Sequence, residues 1–193
     1  MDRKKLLVIS DTHGSIQSLK AVLDWAKNNS PPAGTICAAA FLGDGIADLR
    51  PAAEASEFFC DWKVVGGNND YGYEMMGGKS SFGAYSPPEA AVFDFADNRF
   101  FICHGHRHNL YSGHFTLIAA ARGAGANVVL FGHSHVPFQK NADGILLVNP
   151  GSIGRPRSRI GSTFAVIECA DGEQPKVEFW GIGPRGAIRE VKI

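Results

Sequence analysis

Leu6-Leu7-Val8-Ile9-Ser10-Asp11-Thr12-His13-Gly14 opens with an apolar run and ends in a polar loop. Four consecutive apolar residues closed by Ser10 fit a short buried strand. Ser15 can cap the helix that follows, in which apolar residues recur at helical spacing at Ile16, Leu19, Val22, Leu23 and Ala26. The stretch therefore predicts a strand, a loop that carries Asp11 and His13, and a helix.

Strands and helices alternate in the first half of the chain, and strands dominate the second half. In the first half, strands are predicted at 35–42 and 63–65, with a helix at 51–59 between them. The second half predicts one helix, at 115–122, and strands at 90–95, 99–103, 128–131, 145–148, 163–167, 176–180 and 187–191. Residues 71–88 are rich in Gly and Ser and predict a flexible loop. This order favours an α/β fold of two packed mixed sheets with helices outside, in a single domain over residues 1–193.

Composition and charge narrow the possible functions. Nineteen basic and nineteen acidic side chains cancel, and the pI is near 7.0. That balance offers no basic surface for a long polyanion, so we expect no extended nucleic acid as the main partner. Local metal charge could still attract a small phosphorylated substrate.

The cysteines and the N-terminal residues predict a cytoplasmic protein without a membrane segment. The four cysteines are far apart and form no CxxC pair: Cys37, Cys60, Cys103 and Cys169. That spacing disfavours both a disulfide framework and a zinc finger. The apolar run after the basic N-terminal residues is too short for a signal peptide, and no run approaches membrane-spanning length.

Five apolar runs end in residues that can bind a metal ion. In order along the chain these residues are Asp11 and His13, then Asp44, Asn68, His104, and finally His133 and His135. In open α/β sheets, ligands bind outside the carboxyl ends of the strands, so largely parallel strands would bring all five loops to one edge. Seven nitrogen and oxygen ligands exceed the needs of one ion and suit two ions about 3.5–4 Å apart.

The ligand types limit the metal. Imidazole and carboxylate without thiolate suit manganese, iron, zinc or nickel, and we expect two such divalent ions per chain, with manganese first. Taken alone, Asp44 between two glycines or Asn68 beside Asn69 would indicate only a polar turn. The presence of metal-binding residue types after five separate apolar runs favours a metal centre.

The motif set resembles the calcineurin-like metallophosphoesterase superfamily, and in particular its small bacterial and archaeal phosphodiesterase branch. The motifs stand here as Asp11-Thr12-His13, Gly43-Asp44, Gly67-Asn68-Asn69-Asp70, His104-Gly105-His106 and Gly132-His133-Ser134-His135, with Asn149-Pro150-Gly151-Ser152 and Pro156-Arg157 beyond them. The resemblance implies a four-layer α/β/β/α sandwich. It also implies one metal on Asp11, His13, Asp44 and His135, and a second metal that Asp44 bridges to Asn68, His104 and His133.

One position departs from the family pattern. Many members carry histidine where this chain has Asn69, and an amide cannot donate a proton as a general acid. The departure disfavours alkyl monoesters, whose leaving groups need a proton, and leaves phosphodiesters as the expected substrates. We expect Asn68 and His106 to take part in catalysis, although His106 is equally compatible with a hydrogen-bonded loop residue.

The remaining polar residues allow several interpretations. His108 and His114 are expected at the surface or in packing contacts. Arg155, Arg157 and Arg159 alternate, so in an extended segment they would project to one side. That side could meet a substrate phosphate, solvent or another subunit.

The sequence thus predicts an enzyme that hydrolyses small phosphodiesters by in-line attack of a hydroxide that bridges two metal ions. It is compatible with a homo-oligomer. The alternative is a non-catalytic protein-binding scaffold on the same fold, like the retromer subunit, whose metal site is incomplete. The complete set of seven candidate ligands favours the enzyme, and no G-x-S-x-G motif supports a serine hydrolase.

Overall fold

Two mixed sheets and three α-helices make up the described part of the chain, residues 3–29, 36–70 and 87–193 of a computed structural model. The helices are α1 (Ile16–Asn28), α2 (Ile46–Ser56) and α3 (Phe115–Gly123). The first sheet contains β1 (Lys4–Ile9), β2 (Ile36–Phe41), β3 (Asp61–Val64), β9 (Thr163–Cys169), β10 (Lys176–Ile182) and β11 (Ile188–Val191). The second contains β4 (Ala90–Phe95), β5 (Asn98–Cys103), β6 (Val128–Phe131), β7 (Pro137–Ala142) and β8 (Ile145–Pro150). Short 3₁₀ turns lie at Leu110–Ser112 and Pro184–Gly186.

Alternation along the strands builds a four-layer sandwich. In β1, Leu6 and Val8 pack between the two sheets, whereas Leu7 and Ile9 pack against α1 and α2 on the outer face. A third apolar cluster joins the outer face of the second sheet to α3 through residues such as Leu117. Successive side chains of a strand point to opposite faces, so both faces of the central strands are apolar. The predicted four-layer α/β/β/α fold is confirmed.

The order of the strands brings several carboxyl ends together. The first sheet runs β11-β10-β9-β1-β2-β3, and the neighbours β1, β2 and β3 are parallel. The second runs β4-β5-β6-β8-β7, in which β5, β6 and β8 are parallel. The loops after these strands hydrogen-bond to one another: Asp11 donates its backbone N–H to Gly43, and Gly132 donates to His104.

Two elements differ from the sequence prediction. Strand β7 was not predicted, because Gln139, Lys140 and Asn141 are exposed and polar on a strand that lies at the edge of the described sheet, next to β8. Helix α2 begins at Ile46, five residues before the predicted start, and carries Pro51 inside it. Residues 71–86 of the predicted loop, and residue 35 of the predicted second strand, lie outside the described residues.

Asp70 explains the early start of α2. Its Oδ1 accepts hydrogen bonds from the backbone N–H groups of Gly45 and Ile46 at 2.9 and 3.1 Å. Its Oδ2 accepts from Asp44 at 2.7 Å and from Gly67 at 2.8 Å. A carboxylate at a helix N-terminus satisfies the unpaired amides there and interacts favourably with the helix dipole. Asp70 therefore fixes both the helix and the loop that carries Asp44.

None of the helices in the described part of the chain combines the length and hydrophobicity needed to span a bilayer. The single domain over residues 1–193 stays a prediction from the sequence.

We expect Asp70→Ala to lower the free energy of unfolding by about 2 kcal/mol, because four backbone amides lose a charged acceptor. Asp70→Asn keeps one acceptor oxygen, so its free energy of unfolding should lie between those of Asp70→Ala and the wild type. Urea denaturation of the metal-free proteins measures both changes. Equal stability of Asp70→Ala and wild type would contradict the capping role.

Candidate metal centre

Four of the predicted ligands form one compact cluster. Potential ligand atoms of Asp11, His13, Asp44 and His135 all lie within 4.8 Å of one another. The β1 and β2 loops supply three of them, and the β6 loop supplies His135 from the other sheet. The cluster therefore lies where the carboxyl ends of the two sheets meet.

The other three predicted ligands surround this cluster. The Nε2 atom of His104 lies 3.4 Å from Asp44 Oδ2 and 3.9 Å from Asp11 Oδ1. The ring of His133 lies 5.2 Å from the ring of His104, centroid to centroid. Asn68 lines the same cavity as His133 and Asp44. The structure thus brings all seven residues to one region, while their binding of metal stays a prediction.

Backbone strain is concentrated at these positions. Five of the seven have a positive φ, which only glycine adopts without cost: Asp11 (56°), His13 (45°), Asp44 (58°), His133 (66°) and His135 (60°). Each costs about 1 kcal/mol relative to the common conformations. Strained residues persist where the surrounding structure fixes them, and they are concentrated at functional sites.

Backbone carbonyls fix the orientation of two of the histidines. The Nδ1 of His104 lies 2.7 Å from the carbonyl of Leu42, and the Nδ1 of His135 lies 2.6 Å from the carbonyl of Arg155. A carbonyl can only accept, so each Nδ1 carries the hydrogen. In the neutral rings this leaves the Nε2 lone pair free and directed at the cluster. Metal-binding histidines are held in this way in many proteins.

Atoms at the centre fit a cation. Asp11 Oδ1 and His104 Nε2 are buried and have no hydrogen-bond partner within the described residues. His135 Nε2, whose hydrogen lies on Nδ1, is 3.1 Å from Asp11 Oδ1. Two acceptors at this distance repel each other, and a divalent cation between them removes the conflict. Nitrogen and oxygen donors suit first-row transition metals.

The carboxylates of the cluster favour the protonated form of His104. Burial would lower the pKa of His104, but the neighbouring carboxylates of Asp44 and Asp11 outweigh burial and raise that pKa. Burial likewise opposes ionisation of Asp44, yet His104 and the amide groups of Asn69 hold the pKa of Asp44 well below its usual range. Burial lowers the pKa of both His13 and His133, so these two rings are neutral near pH 7.

Asn69 has a contact that its sequence position does not reveal. Its backbone N–H donates to Asp44 Oδ1 at 2.8 Å, and its Nδ2 donates to Asp44 Oδ2 at 2.5 Å. Asn69 thereby orients the carboxylate that the resemblance assigns as the bridge between the metals. The sequence alone indicates only that Asn69 cannot donate a proton as a general acid.

Further polar residues support the cluster from behind. Ser10 Oγ donates to Asp11 Oδ2 at 2.6 Å, and the His133 backbone N–H donates to the same oxygen at 3.1 Å. In the Asn149-Pro150-Gly151-Ser152 motif, Asn149 Nδ2 donates to the carbonyl of Gly132 at 2.7 Å, and Ser152 Oγ donates to the carbonyl of Asp11 at 2.8 Å. The motif therefore ties the β8 end to the loops of both sheets.

An open cavity of about 370 Å³ lies over the cluster. Its lining combines predicted ligands with an arginine-rich segment: His13, Asp44, Asn68, Asn69, His133, His135, Arg155, Pro156 and Arg157. The volume is that of a small-molecule site.

The other histidines differ in their distance from the cluster. The ring of His106 lies 5.5 Å from that of His104 and 6.2 Å from that of His133, so it lies beside the cluster. His114 stacks on Phe138 at 4.6 Å, and His108 lies edge-on to Phe101 at 6.2 Å. The last two rings make packing contacts instead.

Comparison with known families agrees with the resemblance that the motifs indicate. A family model described as the calcineurin-like phosphoesterase superfamily domain matches residues 5–172. A probable metallophosphoesterase of Bacillus subtilis, YsnB, is 27% identical over 163 residues, which cover 84% of this chain and 82% of that protein.

Comparison with solved structures supports the fold. A predicted phosphoesterase from Streptococcus pneumoniae superposes with a TM-score of 0.72 at 27% identity, over 99% of this chain and 98% of that one. A novel archaeal phosphodiesterase gives 0.63 at 21% identity, over 97% and 98%. Vps29 of Entamoeba histolytica, complexed with Zn²⁺, gives 0.71 at 17% identity, over 98% of each chain. The last two likenesses concern the fold alone.

The strained backbone predicts an unusual order of stabilities. In the metal-free protein, His133→Gly should be more stable than His133→Ala by about 1 kcal/mol, because alanine is strained at this positive φ. His104 lies outside the positive-φ set, so His104→Gly should instead be less stable than His104→Ala. Denaturant unfolding of the four variants tests this, and the same order at both positions would contradict it.

The raised pKa of His104 predicts how metal affinity depends on pH. Protonated His104 stabilises the metal-free fold below pH 6.5, and this contribution disappears as the pH rises through the raised pKa. A metal needs Nε2 unprotonated, so Mn²⁺ affinity should fall about tenfold per pH unit below that pKa. Titration calorimetry from about pH 5.5 to about pH 8 measures the slope. His114→Ala should keep the wild-type profile, and a flat profile would refute the role of His104.

Proposed function

The chain belongs to the calcineurin-like phosphoesterase superfamily, and from that premise we propose that it is a two-metal phosphodiesterase that hydrolyses small phosphodiesters. The family makes it a phosphoester hydrolase that uses divalent metal. The observation that carries the proposal is the buried oxygen Asp11 Oδ1, which has no hydrogen-bond partner within the described residues and lies 3.1 Å from His135 Nε2, an arrangement that suits a cation.

The proposed ligand sets follow the family pattern. Asp11, His13, Asp44 and His135 would hold one cation, and Asn68, His104 and His133 would hold a second together with Asp44. Manganese is the proposed metal, with iron, zinc and nickel as alternatives that the same donors accept. When bound, such a pair supplies Lewis acidity and makes hydroxide available near neutral pH.

Two features favour diesters with good leaving groups. Asn69 donates to Asp44 and cannot protonate a leaving oxygen. Burial and the charge of His104 lower the pKa of His106, so this ring is neutral near pH 7 and is a poor acid. A leaving group must therefore depart largely as an anion. The archaeal protein of the same fold, described as a phosphodiesterase, is consistent with this choice.

A non-catalytic protein-binding scaffold is the second candidate. It is supported by the likeness to Vps29, which concerns the fold alone. A scaffold needs no strained ligands or buried acceptor pair, so these features favour the enzyme. The cytoplasmic location and a homo-oligomeric state stay predictions from the sequence.

We expect the Mn²⁺-loaded protein to hydrolyse bis(p-nitrophenyl) phosphate much faster than alkyl monoesters. Absence of a general acid, which typically contributes about 10²- to 10⁴-fold, should give a steep dependence of rate on leaving-group pKa. A series of methyl aryl phosphates with graded leaving groups measures that slope. Asp44→Ala, which removes the proposed bridge, should abolish turnover and reduce bound Mn²⁺, whereas His114→Ala should change neither.

Asn69→His is the matched variant for the leaving-group effect. A histidine there should flatten the dependence on leaving-group pKa, while Asn69→Ala, which loses the same contact with Asp44, should not. A wild-type protein that binds Mn²⁺ but cleaves no aryl diester would support the scaffold and refute the enzyme. Equal rates with alkyl and aryl leaving groups would refute the claim that the site lacks a general acid, but not the phosphodiesterase function.

A further inference from the structure

The segment 154–157 is fixed to the candidate metal centre by its main chain. The Gly154 backbone N–H donates to the carbonyl of Asp11 at 3.0 Å, and the Arg157 N–H donates to the carbonyl of His135 at 3.1 Å. Between them, the Arg155 N–H donates to Ser152 Oγ at 2.8 Å. A Cβ at Gly154 would lie 1.9 Å from the carbonyl of Thr12, so only glycine permits this close approach.

The side chains of Arg155 and Arg157, unlike the main chain of this segment, indicate a role in binding. Arg155 and Arg157 are exposed and both line the cavity over the metal cluster. Neither guanidinium takes part in an ion pair with any residue in 3–29, 36–70 or 87–193. Other arginines do pair with carboxylates, for example Arg99 with Asp94 and Arg122 with Asp143. Two unpaired cations over one cavity are a candidate anion site.

Arg159 provides a contrast within the same segment. It is exposed but is not among the described residues that line the cavity. A turn in which Gly161 N–H donates to the carbonyl of Ser158 redirects the chain after Arg157. The segment is therefore not extended throughout, and the three arginines do not share one side. Pro156, whose φ is fixed by its ring, lies between the two that line the cavity.

Charge balance indicates what these two arginines are for. With two divalent cations bound, as proposed above, Asp11 and Asp44 neutralise half of the metal charge. A phosphodiester and the attacking hydroxide, with one negative charge each, neutralise the other half. Arg155 and Arg157 are then two positive charges outside this ligand set that form no ion pair with the described residues, whereas the carboxylates of Asp48 and Asp70 beside the centre are bound by backbone amides and the Thr12 hydroxyl. A second phosphate group, which carries nearly two negative charges near pH 7, would match them.

We infer that Arg155 and Arg157 form a subsite for a second phosphate, so that the substrate is a phosphodiester with a phosphomonoester on one of its ester groups. The inference rests on the proposed phosphodiesterase function. The cavity of about 370 Å³ has room for more than the reacting phosphoryl group. Guanidinium groups bind phosphate oxygens in a bidentate manner, and the anchored main chain holds the two residues beside the candidate metal centre.

Binding of two product-like nucleotides tests the subsite without turnover. Thymidine 3′,5′-bisphosphate should bind the Mn²⁺-loaded protein about tenfold or more tightly than thymidine 5′-monophosphate in titration calorimetry. In the double variant Arg155→Ala and Arg157→Ala this preference should disappear. Arg159→Ala should retain it. Folding should be unaffected, because the anchoring contacts of Arg155 and Arg157 are made by their main chain, and thermal unfolding checks this.

Kinetics with the p-nitrophenyl esters of the same two nucleotides separates the possible failures. The ester with the 3′-phosphate should have the higher kcat/KM, and the double variant should lose mainly that advantage. Equal binding of both nucleotides by the wild type, or a preference that survives in the double variant, overturns the subsite even if both esters are hydrolysed. If neither ester is hydrolysed but the arginine-dependent preference remains, the subsite stands and the phosphodiesterase function fails.

Discussion

The contact between Asp11 Oδ1 and His135 Nε2 is the constraint on which the site depends. The two atoms lie 3.1 Å apart, both are acceptors, and the carboxylate is completely buried. Because the carbonyl of Arg155 keeps the hydrogen on Nδ1, the ring cannot relieve the conflict by changing tautomer. The fold therefore holds together two groups that a cation between them would satisfy. This is energetically unfavourable for a protein that works without metal.

Such a conflict persists only because the rest of the molecule is well packed. Leu6, Val8, Leu130 and Val148 are buried between the sheets, and further apolar clusters cover both outer faces. Burial of side chains of this size contributes about 1.5–3 kcal/mol each. The strained loop residues subtract from that total, by about 1 kcal/mol each. Burial of the apolar strands thus offsets the unfavourable free energy of the strained, polar strand ends.

The sequence predicted what depends on local pattern. Apolar runs located the central strands. The polar residues that follow these runs located the cluster, because the carboxyl ends of parallel strands lie at the same edge of a sheet. What it missed depends on contacts between distant segments. Asp70 caps a helix that starts 24 residues earlier in the chain, and Asn69 orients Asp44 from the loop after another strand. Strand β7 lacks an apolar pattern, and what defines it as a strand is its antiparallel pairing with β8.

In the segment 154–157, the main chain makes the contacts with the candidate metal centre, and the arginine side chains line the cavity. The carbonyl of Arg155 orients His135, and any residue at position 155 offers a carbonyl. Mutation at 155 or 157 can therefore change what the cavity accepts while the ligand geometry is inherited unchanged. This makes the segment a place where specificity can diverge among descendants of one ancestral protein at little risk to the candidate metal centre. The same separation gives protein engineers two positions at which libraries can be made without rebuilding the catalytic core.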